Sequence, residues 1–178
     1  MREPVQRLPY SVLALSLLAL DQASKAWAAS RLDDGAPLPI VPGVFRLALV
    51  RNRGALFGLF QELEAPLRTL LFLALPIMVV AVLGWLSWNT PAAAGRSQAA
   101  FALLLGGALG NLLDRLRLGH VVDFLDFYLR GPGGEFHHWP AFNVADACIC
   151  VGIALLAFDT WRSRRAPAAD SDHASYSV

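Results

Sequence analysis

Apolar positions gather into four runs, roughly Leu8 to Ser30, Pro66 to Trp88, Gln98 to Leu118 and Pro140 to Trp161. Each is close to the 20 or so residues that a helix needs to cross the hydrocarbon of a bilayer. Tryptophans fall near the ends of these runs, at Trp27, Trp85, Trp88, Trp139 and Trp161, where an amphipathic ring sits at the headgroup level. Buried helices of a soluble protein would explain that placement less well. The pattern therefore predicts an all-α membrane protein with four transmembrane helices. The first run also has features of a signal peptide, because Arg2 and Arg7 precede it and Ala26, Ala28 and Ala29 resemble a cleavage region. Asp21, Gln22 and Lys25 argue against this, since they interrupt the run where a signal peptide is small and neutral.

Between the first two runs, Leu38 to Phe60 is rich in Pro and Gly, and Phe45, Leu47 and Leu49 alternate there with Arg46, Ala48 and Val50. A period of two predicts a short strand. Its backbone groups need partners that lipid cannot give, so it belongs to a small sheet at the interface or in the water beyond. Asn89 to Ser97 reads as a short polar connection. Gly119 to Trp139 reads as a longer polar loop carrying His120, Asp123, Asp126, Glu135, His137 and His138, with a turn at the Gly-Pro-Gly-Gly of 131 to 134. One integral membrane domain is expected over residues 1–165. After Trp161 the basic Arg162, Arg164 and Arg165 lead into a polar tail, 166–178, expected to be disordered.

Composition supports the same solvent. Of the 178 residues, 56% are hydrophobic and 16% charged, against about 25% charged in soluble domains, and the mean hydropathy is +0.47. A net charge of +1 with scattered arginines offers no concentrated basic patch for nucleic acid. Cys148 and Cys150 are two apart in an apolar run, where they would leave a helix in different directions, so no disulfide framework is expected.

Depth turns the polar residues into a site. Successive spans run in opposite directions. Asp21 and Lys25 come late in the first span, Asn111, Asp114 and Arg115 late in the third, and Asn143 and Asp146 early in the fourth. All therefore converge on the face that also holds the first and third loops. A charged residue at mid-span costs roughly 2.5–3.5 kcal/mol on insertion scales, so a cluster of them marks function. Asp21 with Lys25, and Asn111 with Arg115, are four apart and are expected to pair as scaffolding, with Asp114 a further partner for Arg115. Asp123 and Asp146 have no basic partner within a helical turn. Two carboxylates brought together in a poorly solvated site share a proton near neutrality and supply an acid and a base at once. The ionised member could deprotonate a water attacking a peptide carbonyl while the protonated one polarises that carbonyl, with Asn52 and Asn143 as hydrogen-bond donors.

At these residues the sequence resembles the lipoprotein signal peptidases, or type II signal peptidases, aspartyl proteases of bacterial inner membranes. The resemblance rests on Asp21-Gln22-Ala23-Ser24-Lys25, Asn52-Arg53-Gly54-Ala55, Gly110-Asn111-Leu112-Leu113-Asp114-Arg115, Val122-Asp123-Phe124 and Phe142-Asn143-Val144-Ala145-Asp146. Each motif is short; five in this order relative to four apolar runs make a specific signal. The resemblance implies a catalytic dyad of Asp123 and Asp146, with Asp21, Lys25, Asn52, Gly54, Asn111, Asp114, Arg115 and Asn143 supporting it or contacting substrate. It implies an extracytoplasmic β-sheet formed mainly by the first loop, cytoplasmic termini and an active site near the periplasmic face of the inner membrane. The implied substrate is a prolipoprotein whose cysteine already carries diacylglyceryl, cut just before that cysteine. Inhibition by globomycin follows from the same likeness, and a monomer without cofactor or metal is expected.

Three rival readings stand beside it. Membrane carboxylates also mark proton-coupled transporters, but no internal repeat is evident here. His120, Asp123, His137 and His138 offer ligand types for a metal-dependent hydrolase, in a spacing that matches no helix-borne H-E-x-x-H pattern. A non-catalytic assembly protein leaves the unpaired Asp123 and Asp146 least explained.

Overall fold

The computed structural model describes residues 4–32, 35–53, 65–131 and 135–165. After a 3-10 turn at Pro4–Arg7, the long helices are α1 (Leu8–Arg31), α2 (Ala65–Asn89), α3 (Gly95–Leu118) and α4 (Val144–Arg165). The strands are β1 (Leu38–Val41), β2 (Phe45–Asn52), β3 (Val121–Arg130) and β4 (Phe136–His138). Three helical stretches are long and apolar enough to cross a membrane: Leu70–Asn89, Gly95–Leu118 and Val144–Arg165. In α1 the apolar run from Val12 is closed by Asp21, Gln22 and Lys25. Leu70, Leu75, Met78, Trp85 and Trp88 of α2 stand exposed, as side chains facing lipid would.

α3 is the central helix, packing against α1, α2 and α4. Small residues make that possible. A Cβ on Gly106 would come within 2.9 Å of the Ala14 carbonyl oxygen of α1, one on Gly107 would strike the Ala145 carbonyl of α4, and one on Gly110 would strike the Asp21 carboxylate. Lipid gives helices no hydrophobic reason to associate, so such close approach is the main source of their cohesion. Gly119, at φ 71°, ends α3 in the left-handed conformation, donating its N–H to the Arg115 carbonyl at 3.1 Å.

The strands form one antiparallel sheet in the order β1-β2-β3-β4. The strand expected from alternation in the first loop is β2. Among the described residues the first loop supplies β1 and β2, while the longest strand, β3, and its partner β4 come from the segment read as a polar loop. β3 hides in the sequence because Asp123 and Asp126 are three apart, which breaks a period of two, while apolar residues occupy both faces. The sheet is anchored to the helices by Ala28 and Leu32 packing with Phe124, against which Leu47, Leu49, Leu125 and Val144 are laid.

The fourth helix begins at Val144, four residues later than the apolar run suggests. The backbone of Phe142 is engaged elsewhere: it accepts from Leu125 N–H at 2.9 Å and donates to the Leu125 carbonyl at 3.0 Å. Asp146 consequently sits in the first turn of α4 rather than two turns inside a span. Gly54 and the tail 166–178 lie outside the described residues.

Candidate active site

The polar residues fall into two connected layers. In the inner one Lys25 is 3% exposed, and its Nζ lies 2.8 Å from Asp21 Oδ2, 2.9 Å from Asp114 Oδ2 and 2.8 Å from Asn111 Oδ1. The Asp21–Lys25 pair is the one expected from spacing. Asp114, in contrast, pairs with Lys25 rather than Arg115. Arg115 does meet Asn111, but through the backbone, donating from Nη1 to the Asn111 carbonyl at 2.9 Å. Gln22 completes this layer, donating to Asp114 Oδ1 at 2.8 Å and to the Gly110 carbonyl at 3.2 Å. Nothing in the sequence spacing assigns Gln22 a role, since a neutral side chain with no polar partner four residues away leaves no such signal.

The outer layer is organised by Asn143, which is fully buried. It caps α4: its Oδ1 accepts from the Asp146 N–H at 3.0 Å, while Asp146 Oδ2 accepts from the Asn143 N–H at 3.2 Å. This reciprocal pair is a capping box, with Asp146 in the place usually held by Glu. Asp21 adds a second cap from α1, its Oδ1 accepting from the Ala145 N–H at 2.9 Å. The side-chain amide of Asn143 points the other way and donates to Asp123 Oδ1 at 2.7 Å. One residue therefore fixes both carboxylates.

The remaining oxygens are also held. β2 places Val50 opposite Asp123, and Asn52, two residues on along the same face, donates to Asp123 Oδ2 at 3.0 Å. Asn111 donates to Asp146 Oδ1 at 2.8 Å. Neither Asp123 nor Asp146 forms an ion pair among the described residues. Asp123 is 2% exposed. Burial raises its carboxyl to about 6, the Asp146 charge pushes the same way, and the hydrogen bonds from Asn52 and Asn143 and the charge of Lys25 oppose it. The Arg115 guanidinium lies 4.5 Å from the Phe72 ring centroid, with its charge felt by Asp146, Asp123 and Asp114.

The histidines do not join this centre. His120 approaches the Leu118 carbonyl, His137 approaches Glu135, and His138 approaches Asp126, which also takes Arg46 at 2.6 Å. No group of three His, Cys, Asp or Glu residues among the described ones is placed to hold a metal ion. Cys148 and Cys150 are free thiols.

Residues 13–162 match the family model described as signal peptidase (SPase) II. The chain belongs to the signal peptidase II family. A lipoprotein signal peptidase of Geobacter sulfurreducens is 39% identical over 163 residues, covering 92% of this chain and 97% of the relative. One of Nitratidesulfovibrio vulgaris is 44% identical over 149 residues, covering 82% and 84%. A solved structure described as a bacterial membrane enzyme, determined in meso at 2.3 Å, superposes with a TM-score of 0.73 at 25% identity, covering 96% of this chain and 94% of that one. A second of the same description, at 1.9 Å, gives 0.73 at 27% identity over 85% and 92%. This signal peptidase II is thus a membrane protein whose buried carboxylates gather where α3 and α4 meet the sheet.

Proposed function

We propose that the protein is an aspartic endopeptidase that removes the signal peptide from diacylglyceryl-modified prolipoproteins by cutting before the lipidated cysteine. The observation that carries this reading is the pair of buried Asp123 and half-buried Asp146, neither in an ion pair among the described residues and both held by Asn143. Asp146, at the positive end of α4 and accepting from Asn111 Nδ2 and the Asn143 N–H, serves as the base. Asp123, whose burial favours the neutral form, serves as the acid. Asp146 takes a proton from water as the water oxygen bonds to the carbonyl carbon, and Asp123 donates a hydrogen bond to the carbonyl oxygen. The C–N bond then breaks as a proton passes to the leaving nitrogen, leaving a carboxylic acid and a free amine.

The substrate fits the place. A diacylglyceryl cysteine is held by its chains at the lipid boundary, and the carboxylates lie at the helix ends where the sheet begins. α1 serves as the fourth span, so that both termini share one face; Arg7, Arg96, Arg162, Arg164 and Arg165 lie there and make it cytoplasmic, with the dyad near the periplasmic side of the inner membrane. Lys25, Asp21 and Asp114 support the site, Asn52, Asn111, Asn143 and Arg115 position its carboxylates or contact substrate, and Gly54, two residues after Asn52 in the same motif, belongs to the same supporting set. One copy supplies every group of the dyad, so the enzyme works as a monomer, and globomycin inhibits it.

The test is mass spectrometry of the products from a synthetic prolipoprotein offered with and without its diacylglyceryl group. The expected product begins with the lipidated cysteine, and the unlipidated precursor is left uncut. Cleavage at another bond, or equal rates on both precursors, would overturn the assignment. The pH profile provides a second check. Because the Asp123 carboxyl must hold its proton, kcat/KM is expected to fall as pH rises through about 6 in the free enzyme. The corresponding limb of kcat is expected at higher pH, since bound substrate removes more water from the carboxyl. A rise in kcat/KM across that window would reverse the roles of the two aspartates.

A further inference from the structure

Beyond the carboxylate centre lies a cavity of about 780 Å³ at the other end of the helices. α1 and α2 both pack on α3, and all three contribute to the cavity's lining. The groove between them is walled by Leu8, Ala14, Leu15, Leu105 and Leu109 and rimmed at one end by Arg7. From this geometry we infer a binding site for an anionic phospholipid, with one acyl chain in the groove and the phosphate beside Arg7.

Three observations fix the occupant. Along α3 the lining runs from Gln98 to Leu109, about 16 Å at 1.5 Å per residue. That is close to half of a hydrocarbon core about 30 Å thick, the depth that one leaflet's chain occupies. The rim is cationic. Arg7 donates to the carbonyls of Ser87 at 2.7 Å, Trp88 at 2.9 Å and Thr90 at 2.8 Å, and its guanidinium carbon lies 5.3 Å from the centroid of the Trp88 ring. These contacts hold the charge in place, and among the described residues no carboxylate pairs with it. The wall is also open where a chain would lie: a Cβ at Gly84 of α2 meets nothing within 4 Å. A transmembrane peptide helix, 10–12 Å across, is a poorer match to a groove closed below by α3.

The probes are phosphatidylglycerol, phosphatidylcholine and inorganic phosphate, each added at equal ionic strength to delipidated protein in detergent, with thermal unfolding as readout. Phosphatidylglycerol is expected to raise Tm by about 5 °C at 100-fold over its Kd, phosphatidylcholine by less and phosphate not at all. Gly84→Leu, which fills the groove without touching Arg7, is expected to abolish the lipid shift while leaving cleavage unchanged. Should that variant fail to fold, Leu105→Trp fills the same space from α3, and native mass spectrometry reads lipid retained by the wild type. An equal shift from phosphate alone, an undiminished lipid shift in a folded filled variant, or a raised KM for prolipoprotein in that variant would overturn the proposal. The last result would assign the groove to substrate.

Discussion

Asp123→Asn and Asp146→Asn are each expected to lower the turnover of a diacylated prolipoprotein by about 10³-fold, the scale of removing a positioned acid or base. The two substitutions keep shape and remove the ability to exchange a proton. Asp123 already sits among amide donors from Asn52 and Asn143, and Asp146 among Asn111 and the Asn143 N–H, so the folded state has reason to persist. The readout is therefore single-turnover cleavage together with thermal unfolding on the same preparations. Because the two carboxylates act as one unit, the double variant is expected to be no slower than the worse single one. Full activity in either single variant, at unchanged stability, would end the dyad assignment.

Lys25→Met is expected to produce the largest loss of stability, about 3–5 kcal/mol, the range for a buried pair stripped of one partner. The ammonium is the shared donor to Asp21, Asp114 and Asn111, and both carboxylates are buried. With Lys25 gone, two negative groups face each other across α1 and α3. A companion variant carrying Asp21→Asn and Asp114→Asn as well is expected to recover much of the loss, since it removes the uncompensated charge. Denaturant or thermal unfolding in detergent distinguishes the cases. If Lys25→Met unfolds like the wild type, the inner layer is not what holds α1 against α3.

The sequence exposed this centre unevenly. Asp21 and Lys25 were legible as a pair because a helix brings residues four apart onto one face. The bond between Lys25 and Asp114 was not, since it depends on how α1 and α3 pack, where Gly106 lets the backbones approach and Gly110 leaves room for the Asp21 carboxylate. Span direction was enough to put Asp123 and Asp146 at one end. It could not show that Asn143 joins them, although the N-x-x-D pattern from Asn143 to Asp146 is a capping signal that also marks the true start of α4. The strand β3 stayed hidden because its two acidic residues mask its alternation, and its pairing with β2 is what brings Asn52 to Asp123.

The capping of α4 by Asp146, the base of the proposed mechanism, ties that chemistry to the height at which the helix stops. A bilayer then acts as a ruler. On the proposed reading, the lipid tails of the substrate set where its cysteine floats, and the apolar length of α4 sets where Asp146 floats. A membrane a few ångströms thinner or thicker shifts one against the other at a modest energetic cost. Under the proposed function, cleavage rate across vesicles of graded chain length is therefore expected to pass through a maximum at the thickness that brings the two to one altitude.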